Sequence, residues 1–126
     1  MTINFNNVYI KEVSTITCKD EKEGNFGKLY DKTYDDYYAG CKTFEQAEIK
    51  MINDAVDTVI KKAGTKLDNI DVIIGADLLN QITPSAYASA QLNRPFLGVY
   101  NACASMCEEI IVGASLLQNK SISNVL

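Results

Sequence analysis

The chain lacks histidine and tryptophan, and only two of its 126 residues are proline. Without histidine, its own residues cannot form a Cys-His catalytic pair or the mixed cysteine–histidine sites of many zinc proteins. No apolar run approaches the roughly 20 residues of a membrane-spanning helix, and residues 1–7 lack the features of a secretory signal. We therefore expect a cytoplasmic protein, with any role at a membrane being peripheral.

Basic residues are scarce as well. The net charge is −4, and no cluster of Lys and Arg is present. This balance argues against nucleic-acid binding and against direct binding to anionic lipid, because both need clustered positive charge. Residues 68–126 contain only seven charged side chains. We expect this half of the chain to be mostly buried, in a core or in an interface.

The four cysteines are Cys18, Cys41, Cys103 and Cys107. A cytosolic chain of this size with an apolar core does not need disulfides, so free thiols are expected. The cysteines lack the C-x₂₋₄-C pairs of a zinc site, and Ile110 replaces the third cysteine of an iron–sulfur run. We therefore predict no metal and no cofactor.

The first 42 residues look irregular and polar, with a possible short strand at 8–10 and a charged loop at 19–24. Four of the seven tyrosines lie in residues 29–38. This segment is equally typical of a partner surface and of a chain laid across the core. A helix follows, with Thr43 as N-cap, Gln46 completing a capping box, and Gly64 closing it.

The rest of the chain alternates strands and helices. Residues 71–75 and 96–100 are predicted buried strands, and a strand begins at 123–126. Thr83 is the expected N-cap of a helix that runs to Leu92 and ends at Asn93. A last helix follows Cys103, with one face formed by Cys107, Ile110, Ile111, Ala114 and Leu117. The pattern predicts an α/β fold with a mostly parallel sheet, and the 126 residues look like the front part of a longer protein or a chain covered by another.

Two residues follow the predicted buried strands closely. Cys103 lies at the bend into the last helix, where backbone N–H groups favour a thiolate or bind an anion. A small buried residue in a tight turn is an equally good interpretation of Cys103. Asp77 either contacts a ligand or, slightly more favoured, accepts backbone N–H groups in its turn. Asn80 and Gln81 in the same turn are weaker candidates for ligand binding.

Three segments resemble known families. Residues 101–106, Asn-Ala-Cys-Ala-Ser-Met, are similar to the nucleophile region of the thiolase and ketoacyl-synthase superfamily. Residues 27–36 and 75–84 resemble the stage V sporulation protein AD family, in the same order and spacing. This resemblance implies that residues 1–126 are the N-terminal part of a thiolase-like domain, within a layered αβα half.

The same resemblance implies a function. Members of that family are non-catalytic components of the machinery that moves dipicolinic acid across the spore inner membrane, in sporulation and germination. The implied ligand is dipicolinic acid or its calcium chelate, and Asp77 and Cys103 fall where the ligand pocket would lie. The implied partners are other stage V sporulation A proteins, with the chain peripheral on the cytoplasmic side of the forespore or spore inner membrane. Residues 13–18 replace the glycine-rich opening of the family, which changes the local pocket shape.

Two further functions are compatible with the residues. A condensing enzyme would use Cys103 as the acylated nucleophile and would need partner residues outside these 126. A purely structural subunit would use the tyrosine-rich segment to hold partners, among them further copies of the chain.

Overall fold

The computed structural model describes residues 2–126, whose contacts divide into two units. One unit comprises Lys11–Thr65, and the other comprises the described residues up to Ile10 together with Lys66–Leu126. No helix within residues 2–126 has both the length and the apolar character needed to cross a membrane.

The unit of residues 11–65 contains two strands and two helices: β1 (Ile16–Thr17), α1 (Lys19–Glu23), β2 (Lys32–Thr33) and α2 (Phe44–Lys62). The two strands pair in parallel. Asp31, just before β2, accepts a hydrogen bond from the backbone N–H of Thr15 at 2.9 Å. It also forms an ion pair with Lys62 of α2, at 2.9 Å. Asp31 therefore ties the strand pair to the long helix.

Two predictions in the first 42 residues are wrong. The charged segment expected as a loop forms helix α1, in which the N–H of Lys22 donates to the carbonyl of Cys18, and Lys19 and Glu23 form an i,i+4 ion pair. Residues 8–10, expected as a short strand, belong to no strand. A β-branched run becomes a strand only when a neighbouring strand accepts and donates its backbone hydrogen bonds.

Helix α2 begins and ends as predicted. The hydroxyl of Thr43 accepts the N–H of Gln46 at 3.3 Å, and the side chain of Gln46 accepts the N–H of Lys42 at 3.3 Å. Gly64 follows the helix with a φ of 61°, a left-handed conformation that glycine adopts without steric cost. Local signals alone therefore fix both ends of this helix.

The second unit is built on parallel strands. Its elements are β3 (Ile73–Gly75), α3 (Thr83–Leu92), β4 (Phe96–Gly98) and α4 (Ser105–Leu116). β3 and β4 pair in parallel, with Gly75 opposite Gly98. On the other side of β3, Val72 forms a parallel bridge with Val125, so a strand does begin where residues 123–126 predicted one. The fold class is α/β, as predicted.

Small residues let the helices lie close to these strands. A Cβ on Gly75 would lie 3.0 Å from the ring of Phe96 and 3.4 Å from Cβ of Ser85 on α3. A Cβ on Gly113 of α4 would lie 3.4 Å from Val125. The buried side of α3 consists of small side chains, namely Pro84, Ser85, Ala88 and Ser89.

The burial expected for the second half of the chain is only partly observed. Ile73, Ile74 and Ala114 are buried, and Leu117 is half-buried. The other members of the face predicted for α4, namely Cys107, Ile110 and Ile111, are exposed. Helix α4 meets the strands through Gly113 and Ala114, because residues without bulky side chains permit the closest approach.

We expect Thr43→Ala to lower the free energy of unfolding by about 1 kcal/mol, because the N–H of Gln46 loses its acceptor. Thr43→Ser keeps the hydroxyl, so its free energy of unfolding should fall much less. Urea titrations followed by circular dichroism measure both variants. Equal losses in the two variants would show that the hydroxyl of Thr43 does not cap α2.

Candidate functional site

The candidate site lies at the carboxyl ends of β3 and β4. Gly75 and Gly98 are paired at the ends of the two strands, so the segments that follow them start side by side. Asp77 follows β3 by two residues, and Cys103 follows β4 by five. This is the edge at which open α/β sheets place their ligands.

Asp77 is a buried helix-capping residue. It is 5% exposed, and its carboxylate oxygens accept the backbone N–H of Ser85 at 3.3 and 3.4 Å. The hydroxyl of Ser85 also donates to the Asp77 carboxylate. Asp77 therefore accepts a backbone N–H, as its structural interpretation required, but the donor is Ser85 in the first turn of α3 and not a residue of the preceding turn.

The expected N-cap of α3 is wrong by one residue. Ile82 occupies the N-cap position with a left-handed φ of 48°, and Thr83 is the first helical residue. The side chain of Ile82 forms no capping hydrogen bond with the helix. Asp77, five residues before Ile82, takes over that role by accepting the N–H of Ser85, so the helix start does not need a polar residue at position 82.

Cys103 is exposed, so the interpretation of a small buried residue is wrong. It lies in a 3₁₀ turn, Ala102–Ala104, and α4 begins two residues after it at Ser105. Ala102 has a φ of 45°, an uncommon conformation for a residue with a side chain. The bend predicted from the sequence is present, and the residue before the cysteine has the left-handed conformation.

Ser105 holds this bend and was missed by the sequence analysis. Its hydroxyl accepts the N–H of Asn101 at 3.0 Å and donates to the carbonyl of Ala102 at 2.8 Å. The first residue of α4 is thereby bonded to two residues of the segment that precedes it. A serine at a strand-to-helix junction was the available signal, since serine readily bonds nearby backbone groups.

Glu109 is the second residue that the sequence analysis missed as part of this site. Burial raises the pKa of its carboxyl, the nearby charges of Asp77 and Glu108 raise it further, and a hydrogen bond from the N–H of Ala76 opposes them. Glu109 thus reaches from α4 to the residue that precedes Asp77. Acidic residues are common near helix N-termini. The position of Glu109 in the sequence therefore gave no sign of its contact with the residue that follows β3.

The turn between β3 and α3 presents Asn80 and Gln81 to solvent, beside the strongly exposed Leu78 and Leu79. All four sequence-predicted residues follow the carboxyl ends of the paired strands β3 and β4. Asp77 is enclosed there, whereas Cys103, Asn80 and Gln81 are accessible. Ligand contact by any of the four stays a prediction.

No group of three or more Cys, Asp or Glu side chains within residues 2–126 is placed to hold a metal ion. The four cysteines are free thiols. The chemistry available at this edge is consequently that of backbone N–H groups, amides, carboxylates, one thiol and exposed apolar side chains.

The tyrosine-rich segment is partly packed against its unit and partly exposed. Tyr34 is half-buried and donates to Asp54 of α2, whereas Tyr37 and Tyr38 are exposed. Tyr30 and Tyr37 help to line an open cleft of about 590 Å³ between β1 and α2. Part of this segment therefore packs inward, and part forms accessible surface.

Taken together, these features define an α/β protein with candidate ligand residues at the carboxyl ends of adjacent parallel strands. The stage V sporulation protein AD family matches the chain over residues 1–126. The chain is 34% identical over 110 residues to stage V sporulation protein AD of Bacillus subtilis (strain 168), a match that covers 87% of this chain and 32% of the relative. The chain belongs to the stage V sporulation protein AD family, and it spans about a third of the length of that curated relative.

We expect Ser85→Ala to lower the free energy of unfolding by about 1–3 kcal/mol, because a buried carboxylate loses a hydroxyl donor. Ser89→Ala is the matched control, since Ser89 is an equally buried serine one turn further along α3. Chemical denaturation of both variants measures the difference. A loss for Ser89→Ala as large as that for Ser85→Ala would mean that the bond to Asp77 contributes nothing particular.

Glu109→Gln should change the pH dependence of stability. The raised pKa of Glu109 means that the folded state binds its proton more tightly than the unfolded state does. Stability from this group is present below its unfolded pKa and is lost as pH rises through the folded pKa. Relative to the parent chain, Glu109→Gln should therefore be more stable at pH 7 than at pH 4.

The control for this prediction is Glu45→Gln on α2. The pKa of Glu45 is lowered by its own backbone N–H and by the hydroxyl of Thr43, so its pH dependence has the opposite sign. Denaturation midpoints at pH 4, 5.5 and 7 measure both. If the midpoints of Glu109→Gln and the parent shift in parallel with pH, Glu109 does not titrate differently in the folded state.

Proposed function

We propose that this chain is a binding component, without catalytic activity, of the machinery that transports dipicolinic acid (pyridine-2,6-dicarboxylate) during sporulation and germination. Family membership supports the sporulation role. The observation that carries the ligand proposal is the placement of the Asp77 and Cys103 segments at the ends of adjacent parallel strands. Within this proposal, residues 1–126 are the N-terminal part of a thiolase-like domain.

The edge offers surface for a flat aromatic ring. Leu78, Leu79 and Met106 are 66%, 69% and 70% exposed in the two segments that follow the strands. Contact between these apolar side chains and a pyridine ring is favourable, because it removes apolar surface of both from water. These side chains would take the ring of the ligand.

The same edge offers partners for carboxylates. Helix α4 begins at Ser105, and the N-cap residue Ala104 has no side-chain oxygen to occupy the helix end. The positive end of the helix dipole and its first N–H groups suit an anion. The exposed amides of Asn80 and Gln81 and the thiol of Cys103 would complete the contacts.

Asp77 acts in this proposal by shaping the site. Its oxygens are engaged by Ser85, which places the turn of residues 78–82 between β3 and α3. The loss of Asp77 would release the start of α3 and with it the turn that presents Asn80 and Gln81. Its contribution to binding is therefore made through the position of its neighbours.

The partners and location follow the family assignment. We propose that the chain assembles with other stage V sporulation A proteins at the cytoplasmic side of the forespore or spore inner membrane, as a peripheral protein. The exposed apolar side chains and the tyrosine-rich segment are the surfaces available for such contacts. Contact with a further copy of the chain would use the same surfaces.

Calorimetric titration of the protein at its natural length with dipicolinate tests the ligand proposal. We expect saturable binding, weakened about tenfold or more in two variants. Asp77→Ala releases the turn that presents Asn80 and Gln81, and Cys103→Ala removes a thiol contact. Absence of binding heat at millimolar dipicolinate contradicts the proposal.

Asp71→Ala is the matched control for Asp77→Ala. The carboxylate of Asp71 also accepts backbone N–H groups, from Ser123 at 2.7 Å and Asn124 at 3.0 Å, but it precedes β3 and lies away from the carboxyl ends of the strands. Its loss disturbs the same unit without touching the candidate site. If Asp71→Ala and Asp77→Ala weaken dipicolinate binding equally, the dipicolinate site does not lie at the carboxyl ends of β3 and β4.

A further inference from the structure

The cleft between β1 and α2 lies beside an edge of β1 that no other strand of residues 2–126 occupies. The sheet of this unit consists of β1 and β2 alone within the described residues, so β1 pairs on one side. Residues 14–17 all line the cleft of about 590 Å³, whereas neither residue of β2 does. The cleft therefore opens on the edge of β1 that faces away from β2.

The backbone groups of β1 alternate between its two edges. The N–H of Lys32 donates to the carbonyl of Thr15 at 3.2 Å. The N–H of Tyr34 donates to the carbonyl of Thr17 at 2.9 Å. Ile16 lies between these two residues of β1, opposite Lys32 in the parallel register, so its own N–H and carbonyl point to the other edge. Peptide groups at a free sheet edge are a template for pairing with another extended segment.

The opposite wall of the cleft is one face of α2. Its lining residues recur at helical spacing, namely Phe44, Ala47, Glu48, Met51, Ile52 and Ala55. The hydroxyl of Ser14 donates to the carbonyl of Ala55 at 2.8 Å. The thiol of Cys18 lies 3.5 Å from Sδ of Met51. These two contacts join the strand segment to the helix on either side of Ile16, beside a mostly apolar wall.

The accessible charges beside the cleft are negative. Glu48 is the one charged residue among the described residues that line it. Asp20 accepts a hydrogen bond from the hydroxyl of Tyr37 at 2.7 Å, and Glu21 accepts one from the hydroxyl of Thr17 at 3.2 Å. All three acids are exposed. Four lysines of this unit form ion pairs with other acids, namely Lys19, Lys22, Lys32 and Lys62. A positively charged occupant is therefore favoured over a negatively charged one.

We propose that this cleft binds an extended segment of a partner protein that has apolar side chains at alternate positions and basic side chains between them. The segment adds a strand at the free edge of β1, and its backbone pairs with the N–H and carbonyl of Ile16. Its apolar side chains enter the cleft over Met51 and Ile52. Four residues of β-strand span about 13 Å, so a partner segment of roughly four to six residues covers residues 14–17.

This inference goes beyond the dipicolinate proposal and does not depend on it. The residues that carry it belong to the unit of residues 11–65, whereas the candidate ligand residues belong to the other unit. Its experiments use no dipicolinate, so the two proposals can fail separately.

Calorimetric titration of the natural-length protein with a synthetic peptide tests the proposal. The probe is acetyl-(Lys-Val)₃-amide, and acetyl-(Glu-Val)₃-amide is its charge-reversed control. We expect saturable binding of the Lys-Val peptide and binding of the Glu-Val peptide that is at least about tenfold weaker. Absence of saturable binding at millimolar Lys-Val peptide overturns the proposal, and so does equal affinity for the two peptides.

Two variants of one residue test the role of the strand edge. Ile16→Pro removes both the N–H of residue 16 and the isoleucine side chain, whereas Ile16→Ala removes most of the side chain and keeps the N–H. Because this N–H faces away from β2, proline is compatible with the β1–β2 pair. We expect Ile16→Pro to bind the Lys-Val peptide about three- to tenfold more weakly than Ile16→Ala does. Equal affinity in the two folded variants, verified by circular dichroism, would show that the peptide does not pair with β1.

A second pair of variants tests the charge at the cleft. Glu48→Gln should weaken binding of the Lys-Val peptide about two- to fivefold, because an exposed opposite charge is lost. Asp57→Asn is the matched control, since Asp57 is an exposed acid of the same helix that does not line the cleft. Its affinity for the peptide should equal that of the parent chain. Equal weakening in both variants would contradict binding of the peptide in the cleft.

Hydrogen exchange of the Ile16 amide identifies the occupant without any substitution. In the natural-length protein alone this N–H should exchange quickly, and saturation with the Lys-Val peptide should slow its exchange. Slow exchange without peptide would show that the edge is already paired, either within the same protein or with a second copy, and would overturn the proposal. Light scattering distinguishes those two occupants by the mass of the particle.

Discussion

The hydrogen bonds between the Asp77 carboxylate and Ser85 are the constraint on which the rest of the site depends. They join the end of a buried strand to the first turn of α3, and they do so inside the protein, where an unpaired carboxylate would be costly. The turn of residues 78–82 is fixed at both ends as a result. Within the turn, the N–H of Ile82 also donates to the carbonyl of Leu79 at 3.1 Å.

The elements that could be predicted are those with local causes. Thr43, Gln46 and Gly64 define α2 through contacts within a few residues, and the apolar run at 72–74 marks a strand buried on both faces. Asn93 ends α3 in a left-handed conformation for the same local reason. The sequence also indicated that Asp77 and Cys103 each follow a buried strand, and the structure pairs those two strands in parallel.

The remaining features depend on contacts between distant segments. The partner of Asp77 lies eight residues away, and Glu109 meets Ala76 across 33 positions of sequence. Nothing in the local pattern around Glu109 distinguishes it from an ordinary acid near a helix start. The exposure of one side of α4 was equally unpredictable. The helix packs through Gly113 and not through its larger apolar residues.

The buried side of α3, built from proline, serine and alanine, has a consequence for motion. Short side chains remove little apolar surface from water, so this helix gains less free energy from its packing than one that buries leucine or isoleucine. Its backbone amides should consequently exchange with solvent deuterium sooner than those of β3, through opening events that leave the strands intact. The helix that frames the site therefore has less packing energy to lose by moving than a helix that buries large apolar side chains.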